Sequence, residues 1–457
     1  MARLFGTDGV RGIAGMDLTA ELAYRLGLAV SEVLIDTSER KPRVLIGRDT
    51  RISGDMFECA IAAGLTAMGC DVYVLGVIPT PAVAYLVREV GADAGVMISA
   101  SHNSSEYNGI KIFDGNGYKL PDAVEDRIEQ IITEQKDFAF AVDDRVGRRI
   151  DASDMHALYE AHLAAAVVGG VPSDPRKILI DLANGAACTT AKQVFTTAHF
   201  PDMIFDFIAD DPNGLNINRN CGSTKMQILA DTVRNNHYAL GIAFDGDTDR
   251  CLLVDEQGRI IDGDKVLCVL AKHLQSKNAL AENTLVVTCM SNMGLHLFAK
   301  ANNITVKSTA VGDRYVLEEM LRGGYTLGGE QSGHVILSDY GTTGDGQMTA
   351  IMCLNAMCAR PDETASALFG EMKTMPQISV NLSANAEQKQ MIMNDPEIQA
   401  LVAEVAAKLE GRGRILLRPS GTEALVRMML EGENAAELHE LGGAVAARIR
   451  ERVCGKN

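Results

Sequence analysis

Short apolar runs alternate with helix-period stretches along most of this chain. Asp17 and Thr19 stand where they can cap a helix whose Leu18, Leu22, Leu26 and Val30 recur every four residues, and Val44-Leu45-Ile46 then reads as a buried strand ending at Gly47. A helix over 59–68 leads to Val72-Tyr73-Val74-Leu75, and one over 81–90 leads to Val96-Met97-Ile98. This alternation predicts βαβ units around a largely parallel sheet. In such sheets functional loops lie beyond the carboxyl ends of the strands, and residues 99–103 take that position.

The charged stretch 143–154, which includes Arg148 and Arg149, reads as a linker. A second α/β unit follows, with Ile178-Leu179-Ile180 leading to Asp181 and an Asn184-Gly185 turn, and with 239–244 running into an acidic loop. Another begins near Asp255, with Leu285-Val286-Val287 and Tyr325-Thr326-Leu327 as strands. Past Pro376 the pattern changes to strands at 378–380, 415–417 and 425–429 with helices over 396–409 and 435–453, which reads as a small α+β domain. The expected class is α/β: three α/β domains with mixed, largely parallel sheets over 1–153, 154–254 and 255–373, then a smaller α+β domain over 374–457. No repeat and no low-complexity segment interrupts this reading.

Composition supports a multidomain globular chain, since 457 residues exceed one ordinary core and predict about three or four domains. A net charge of -17 argues against nucleic acid, whose backbone needs a basic face. The same charge repels an anionic substrate, so particular arginines and a cation would have to reverse the potential locally. The ten cysteines form no Cys-x-x-Cys pair and no zinc-finger spacing, and read as reduced, mostly buried small hydrophobes. With no signal-peptide core at MARLFGTDGVRG and no stretch of about 18 apolar residues, the expectation is a cytoplasmic protein without a membrane partner.

Three loops carry distinct chemistry. In DGDTDR, Asp245, Asp247 and Asp249 alternate and converge on one ion only if the backbone curls, which Gly246 is expected to permit. An EF-hand fails at its sixth place, where Arg250 stands instead of glycine, and three carboxylates with an incoming phosphate oxygen suit Mg²⁺. In ISASHNSSEYNGIK, Ser99, Ser101, Ser104 and Ser105 are all available; a phosphorylated serine needs neutralising neighbours, which His102, Lys111 and the cation could supply. No Gly-x-Ser-x-Gly elbow and no P-loop is present, which disfavours acyl hydrolysis and a Walker-type ATPase. In GGEQSGH, Glu330 and Ser332 are hydroxyl-binding candidates and His334 a proton carrier. Nucleophile, hard cation and hydroxyl-binding groups together point to phosphoryl transfer to a sugar. A fourth segment, RPSGTEALVR, sets Arg418, Ser420, Thr422 and Arg427 around backbone donors freed by Pro419 and Gly421, a fork and nest for a second phosphate.

FGTDGVRG at Phe5, SASHN at Ser99, DGDTDR at Asp245, GEQSGH at Gly329 and RPSGTE at Arg418 occur in the order seen in the α-D-phosphohexomutase superfamily, which the chain resembles over nearly its whole length. The resemblance implies four domains around a deep central cleft. It implies that Ser101 carries the phosphoryl group as phosphoserine and that Asp245, Asp247 and Asp249 hold Mg²⁺ with it. It places Glu330 and Ser332 on sugar hydroxyls, and Arg11, Lys111 and His334 near the reacting oxygens. Arg250, Gly312 and Asp313 join the substrate-binding set, and Arg418, Ser420, Gly421, Thr422 and Arg427 surround the non-reacting phosphate. Ser104, Thr248 and Ala424 depart from the usual family residues, which bears on loop rigidity and not on ligands.

FGTDGVRG and LNINRNCGST further resemble the bacterial phosphoglucosamine mutase branch. The implied activity interconverts glucosamine 6-phosphate and glucosamine 1-phosphate, with glucosamine 1,6-bisphosphate as intermediate and activator. The implied partner is a small hexosamine phosphate, and a homodimer is left open. A phosphomannomutase or phosphoglucomutase is the nearer rival, because Glu330 could accept a neutral hydroxyl as readily as meet an ammonium group. A non-catalytic phosphosugar-binding protein is the more distant one.

Overall fold

The computed structural model describes residues 4–6, 9–35, 40–134, 137–169, 175–420 and 424–454. The chain packs as two compact units, one formed by Met1–Met290 with Ile304–Gly370 and the other by Ser291–Asn303 with Glu371–Asn457.

The larger unit contains three mixed sheets. The first runs in the order Val10–Ile13, Tyr107–Asp114, Ala94–Ile98, Arg43–Arg48, Asp71–Val77, Arg149–Asp151. Its last four strands are parallel, and Tyr107–Asp114 runs antiparallel to both of its neighbours. Ala94–Ile98 is buried at every position, as a run of apolar residues covered on both faces must be. The helix Ala20–Ile35 begins where its pattern indicated, with Thr19 Oγ1 accepting from the Leu22 amide at 3.1 Å. The stretch 143–154 is not a plain linker, because Arg149–Asp151 adds a parallel edge strand to Asp71–Val77.

The second sheet has the order Ile260–Ile261, Cys251–Asp255, Leu240–Phe244, Arg176–Asp181, Met203–Ile208, and the third Thr305–Thr309, Thr284–Thr288, Leu327–Gly329, Val335–Leu337. Each combines parallel pairs with an antiparallel hairpin. The third-sheet strand begins at Leu327, two residues later than Tyr325 and Thr326 suggested. Gly324 lies at φ 65 as the left-handed cap of the helix Asp313–Gly323, and the Tyr325 amide returns to the Met320 carbonyl at 2.9 Å, so Tyr325 completes the helix end instead. The helix Gly346–Cys358 is buried from Gly346 to Met357, in keeping with its apolar circumference. Its first amide donates to the Thr248 carbonyl at 2.8 Å, which ties the acidic loop to the helix start.

In the smaller unit, strands Gln377–Ser383, Leu425–Gly432 and Gly413–Pro419 form an antiparallel sheet covered by the helices Pro396–Leu409 and Ala435–Cys454. Ile398, Leu409, Met428, Leu430 and Val445 are part of its own apolar core. Among the described residues no helix is long and apolar enough to cross a membrane.

Candidate active site

The turn after Ala94–Ile98 divides its serines by direction. Ser99 faces the core, where its hydroxyl donates to Asp49 Oδ2 at 2.6 Å and accepts from the Ser101 amide at 2.9 Å. Ser101 faces the acidic loop, and its hydroxyl donates to Asp245 Oδ2 at 2.6 Å. Ser101 has φ 51, a left-handed conformation uncommon for a residue with a Cβ. Ser104 is exposed.

The acidic loop joins the antiparallel strands Leu240–Phe244 and Cys251–Asp255. Carboxylate oxygens of the buried Asp245, Asp247 and Asp249 lie within 4.8 Å of one another. The curl that gathers them is made at Thr248, whose φ is 64, and not at Gly246 as expected. Gly246 serves close approach instead: a Cβ there would stand 2.6 Å from the Ser101 carbonyl and 2.8 Å from Asn218 Nδ2. The absent side chain lets the acidic and serine loops touch.

Lys111, buried on Tyr107–Asp114, donates to Asp247 Oδ2 at 2.8 Å and to Asp249 Oδ2 at 3.3 Å. The Thr80 hydroxyl reaches the same Asp247 oxygen at 2.6 Å, which leaves Asp247 Oδ1 buried with no protein partner. Burial, then the charges of Asp249 and Asp247, push the Asp245 carboxyl well above its usual range. Three converging carboxylates, one pushed toward its neutral form by burial and its neighbours and one with an orphaned buried oxygen, fit a small divalent cation. His102 Nδ1 lies 3.3 Å from Ser101 Oγ. Burial, then the charges of Arg250 and Arg11, push its imidazole down to about 4.

The polar loop connects Leu327–Gly329 to Val335–Leu337. Glu330 Oε1 accepts from the Gly312 amide at 3.2 Å, and Ser332 Oγ is buried without a protein partner. The Nε2 atom of buried His334 accepts from the Gly344 amide at 3.1 Å and stands 3.6 Å from Asp313 Oδ2, while Nδ1 stands 3.8 Å from Asp249 Oδ2. Asp313 is also paired with Lys119 at 2.5 Å. Arg250 donates its amide to Asp245 Oδ1 at 3.2 Å, and the acidic cluster and Glu330 act on its guanidinium. Arg11 lies opposite Gly109 on the strand beside the serine loop. The larger unit therefore brings Ser101, Lys111, the three aspartates, His334, Asp313, Gly312 and Glu330 into one connected set.

In the smaller unit, Arg418 and Arg427 are direct cross-strand partners at the end of a hairpin. The Ser420 amide donates to the Leu425 carbonyl at 2.9 Å, and Lys389 Nζ donates to the Ser420 carbonyl at 2.7 Å. Gly421 and Thr422 lie outside the described residues, as do Thr7 and Asp8 of the N-terminal motif. Sequence reasoning missed Arg51, Asp49, Asn218, Thr80 and Lys389. The local signals are the arginine and aspartate of GRDTR at the end of a buried strand, for Asp49 and Arg51, and the segment LNINRNCGST, which contains Asn218.

Four models of the phosphoglucomutase/phosphomannomutase family match in chain order: α/β/α domain I at residues 2–138, domain II at 157–258, domain III at 262–375 and the C-terminal domain at 380–448. A phosphoglucosamine mutase of Caldicellulosiruptor bescii is 47% identical over 455 residues, which cover 99% of this chain and 100% of the relative. One from Clostridium botulinum strain Loch Maree is 47% identical over 456 residues with the same coverage. Among solved structures, a phosphoglucomutase/phosphomannomutase family protein from Burkholderia thailandensis superposes with a TM-score of 0.82 at 22% identity, covering 98% of this chain and 97% of that one. The N-acetylphosphoglucosamine mutase of Aspergillus fumigatus, in complex with GlcNAc-6P and magnesium, does so with a TM-score of 0.61 at 16% identity, covering 98% and 95%. The structures share the fold, and the relatives align end to end with nearly half of all positions identical. The chain belongs to the phosphoglucomutase/phosphomannomutase family.

Proposed function

We propose that the chain is an intramolecular phosphotransferase that interconverts glucosamine 6-phosphate and glucosamine 1-phosphate, on the route to UDP-N-acetylglucosamine. The observation that carries the reading is the Ser101 hydroxyl 2.6 Å from Asp245 inside a buried three-carboxylate cluster. The amino-sugar preference rests on near-half identity to relatives named phosphoglucosamine mutase.

In this reading the phosphoryl group of phosphorylated Ser101 passes to the free hydroxyl of the substrate. The new sugar O–P bond forms as the Ser101 Oγ–P bond breaks, which yields glucosamine 1,6-bisphosphate. The bisphosphate turns over, and its other phosphate returns to Ser101. Asp245, Asp247 and Asp249, together with the phosphoserine, would hold Mg²⁺, which when bound neutralises phosphoryl charge. Lys111 and Arg11 supply fixed positive charge near the reacting oxygens, and His334 carries the hydroxyl proton. Glu330, Ser332, Gly312, Asp313 and Arg250 orient the sugar. Arg418, Ser420, Gly421, Thr422 and Arg427 hold the phosphate that is not being transferred. The division into 1–153, 154–254, 255–373 and 374–457 and a cytoplasmic location belong to the same proposal.

The test is turnover of amino and neutral hexose phosphates side by side. Glucosamine 6-phosphate should exceed glucose and mannose phosphates in kcat/KM by at least about tenfold, roughly 1.4 kcal/mol of transition-state discrimination. Equal or better turnover of mannose 1-phosphate would move the assignment to a neutral-sugar mutase. Phosphopeptide mapping that placed the label on Ser99 or Ser104 would overturn the carrier.

A further inference from the structure

The most heavily hydrogen-bonded side chain beside Ser101 lies outside the reacting set. Arg51 follows the strand Arg43–Arg48 and is fully buried. A guanidinium has five N–H donors in one rigid plane, and all five of these are used. Nε donates to Asp49 Oδ2 at 2.8 Å. Nη2 donates to the carbonyls of Ser101 at 2.9 Å and Asn103 at 2.8 Å, and Nη1 to those of Tyr107 at 3.0 Å and Ser104. One planar group thus fixes four carbonyls of the serine loop.

Two neighbours complete the hold. Asp49 neutralises the buried guanidinium and accepts from the Ser99 hydroxyl, which in turn accepts from the Ser101 amide. Asn218 Nδ2 donates to the same two carbonyls, Ser101 at 2.9 Å and Asn103 at 3.0 Å. The N–H and the C=O of Ser101 are therefore both held, and the residue between them sits at φ 51 with its hydroxyl on Asp245. A positive φ at a serine persists only where the surroundings over-determine it, and here the determining groups are identified.

We infer that Arg51, backed by Asp49 and Asn218, is the positioning residue for the phosphoryl carrier: it holds the serine loop in the conformation that aims Ser101 Oγ at the acidic cluster. The inference rests on the reading of Ser101 as that carrier. An arginine that only stabilised the fold would, on replacement, lower the melting temperature and leave kcat per folded molecule unchanged. Arg51→Lys separates the two, because the charge beside Asp49 survives while the planar fork is lost.

The experiment measures kcat, KM, Mn²⁺ affinity and the single-turnover rate of transfer from Ser101 in folded Arg51→Lys and Asn218→Ala. Misplacement by about 1 Å costs about 100-fold in rate, so Arg51→Lys should lose about 100-fold in kcat and in single turnover. Its KM and Mn²⁺ affinity should stay within about threefold, and Asn218→Ala should lose about tenfold in kcat. A kcat for Arg51→Lys within about threefold of wild type, or an equal loss in KM or metal affinity, overturns the inference. Should Arg51→Lys fail to fold, Asn218→Ala decides: a loss of about fivefold or more in kcat at unchanged KM supports it, and a smaller loss overturns it. Labelling wild-type protein with radioactive glucosamine 1,6-bisphosphate keeps the two readings apart. An active enzyme without label at Ser101 defeats the carrier assignment, whereas a labelled Ser101 with an unaffected Arg51→Lys defeats only the positioning role.

Discussion

Arg51 in the larger unit and Arg418 with Arg427 in the smaller one place the same side chain in contrasting settings. Arg51 is fully buried, and its donors are used by Asp49 and four carbonyls of its own chain. Arg418 and Arg427 are half-buried and directly opposed across an antiparallel ladder. Like charges opposed in this way repel, a cost that a phosphate dianion between them would reverse. In the proposed reading the buried arginine presets geometry, and the opposed pair takes an anion that arrives and leaves. A mutase needs both kinds of site. In the proposed reading the reacting groups must be aligned to a fraction of an ångström, while the site for the phosphate that is not being transferred has to accept either end of a bisphosphate.

The largest expected effect breaks the chemical side of this contrast. Ser101→Ala should cut kcat by about three orders of magnitude or more, since in the proposed reading its hydroxyl is the group that holds the transferred phosphoryl. Steady-state turnover and the disappearance of covalent label from the protein check it together. Retention of label at another serine would transfer the role.

A smaller but still large loss should follow from crowding the junction of the two loops. In Gly246→Ala the new Cβ meets the Ser101 carbonyl at 2.6 Å, Asn218 Nδ2 at 2.8 Å and Ile217 Cδ1 at 2.8 Å. Backbone and a held amide cannot yield without moving Ser101, so kcat should fall about 100-fold. Metal affinity should fall as well, because the same peptide segment carries Asp245 and Asp247. Measured kcat and Mn²⁺ titration test this. Near-normal values for both would mean that the two loops tolerate separation, and the view of the buried region as rigid would fail.

The sequence exposed the reacting groups better than the groups that position them. Asp245, Asp247, Asp249 and His334 are legible because their types and spacing already imply chemistry, Ser101 is singled out among four serines only by the family resemblance, and the structure brings them together. Arg51, Asn218 and Thr80 act on partners 50, 117 and 167 residues away, and nothing in their local pattern records that. Gly246 was identified for the wrong reason: a glycine in a tight loop suggests a special dihedral, whereas the requirement here is space against another loop. The left-handed turn falls on Thr248, a β-branched residue that propensity alone would exclude. Strands with strong apolar runs, such as Ala94–Ile98, were readable to within about two residues. Arg149–Asp151 was not, because a short, exposed edge strand carries no burial signal.

On the recognition side the expected losses are smaller and of another kind. Arg418→Ala removes one fork from a dianion site whose contacts exist in both the ground state and the transition state, so KM should rise about tenfold or more while kcat falls less. Metal affinity and Ser101 labelling should be unchanged, because both depend on residues of the larger unit. Loss of either in a folded protein would show that the two regions do not divide the work as proposed.

Arg418→Lys should give the smallest effect and the sharpest reading of the contrast. Lysine keeps the positive charge opposite Arg427, so the electrostatic attraction for a phosphate largely survives. It loses the second parallel donor and the planarity that match two phosphate oxygens at once. KM should therefore rise about three- to fivefold, roughly 0.7–1 kcal/mol, with kcat nearly intact. The same exchange at Arg51 is expected to cost about 100-fold in kcat with little change in KM. An identical arginine-to-lysine change thus acts on opposite kinetic constants in the two regions. Equal responses at both positions, in either constant, would show that burial and full use of donors at Arg51 do not distinguish it functionally from the opposed pair.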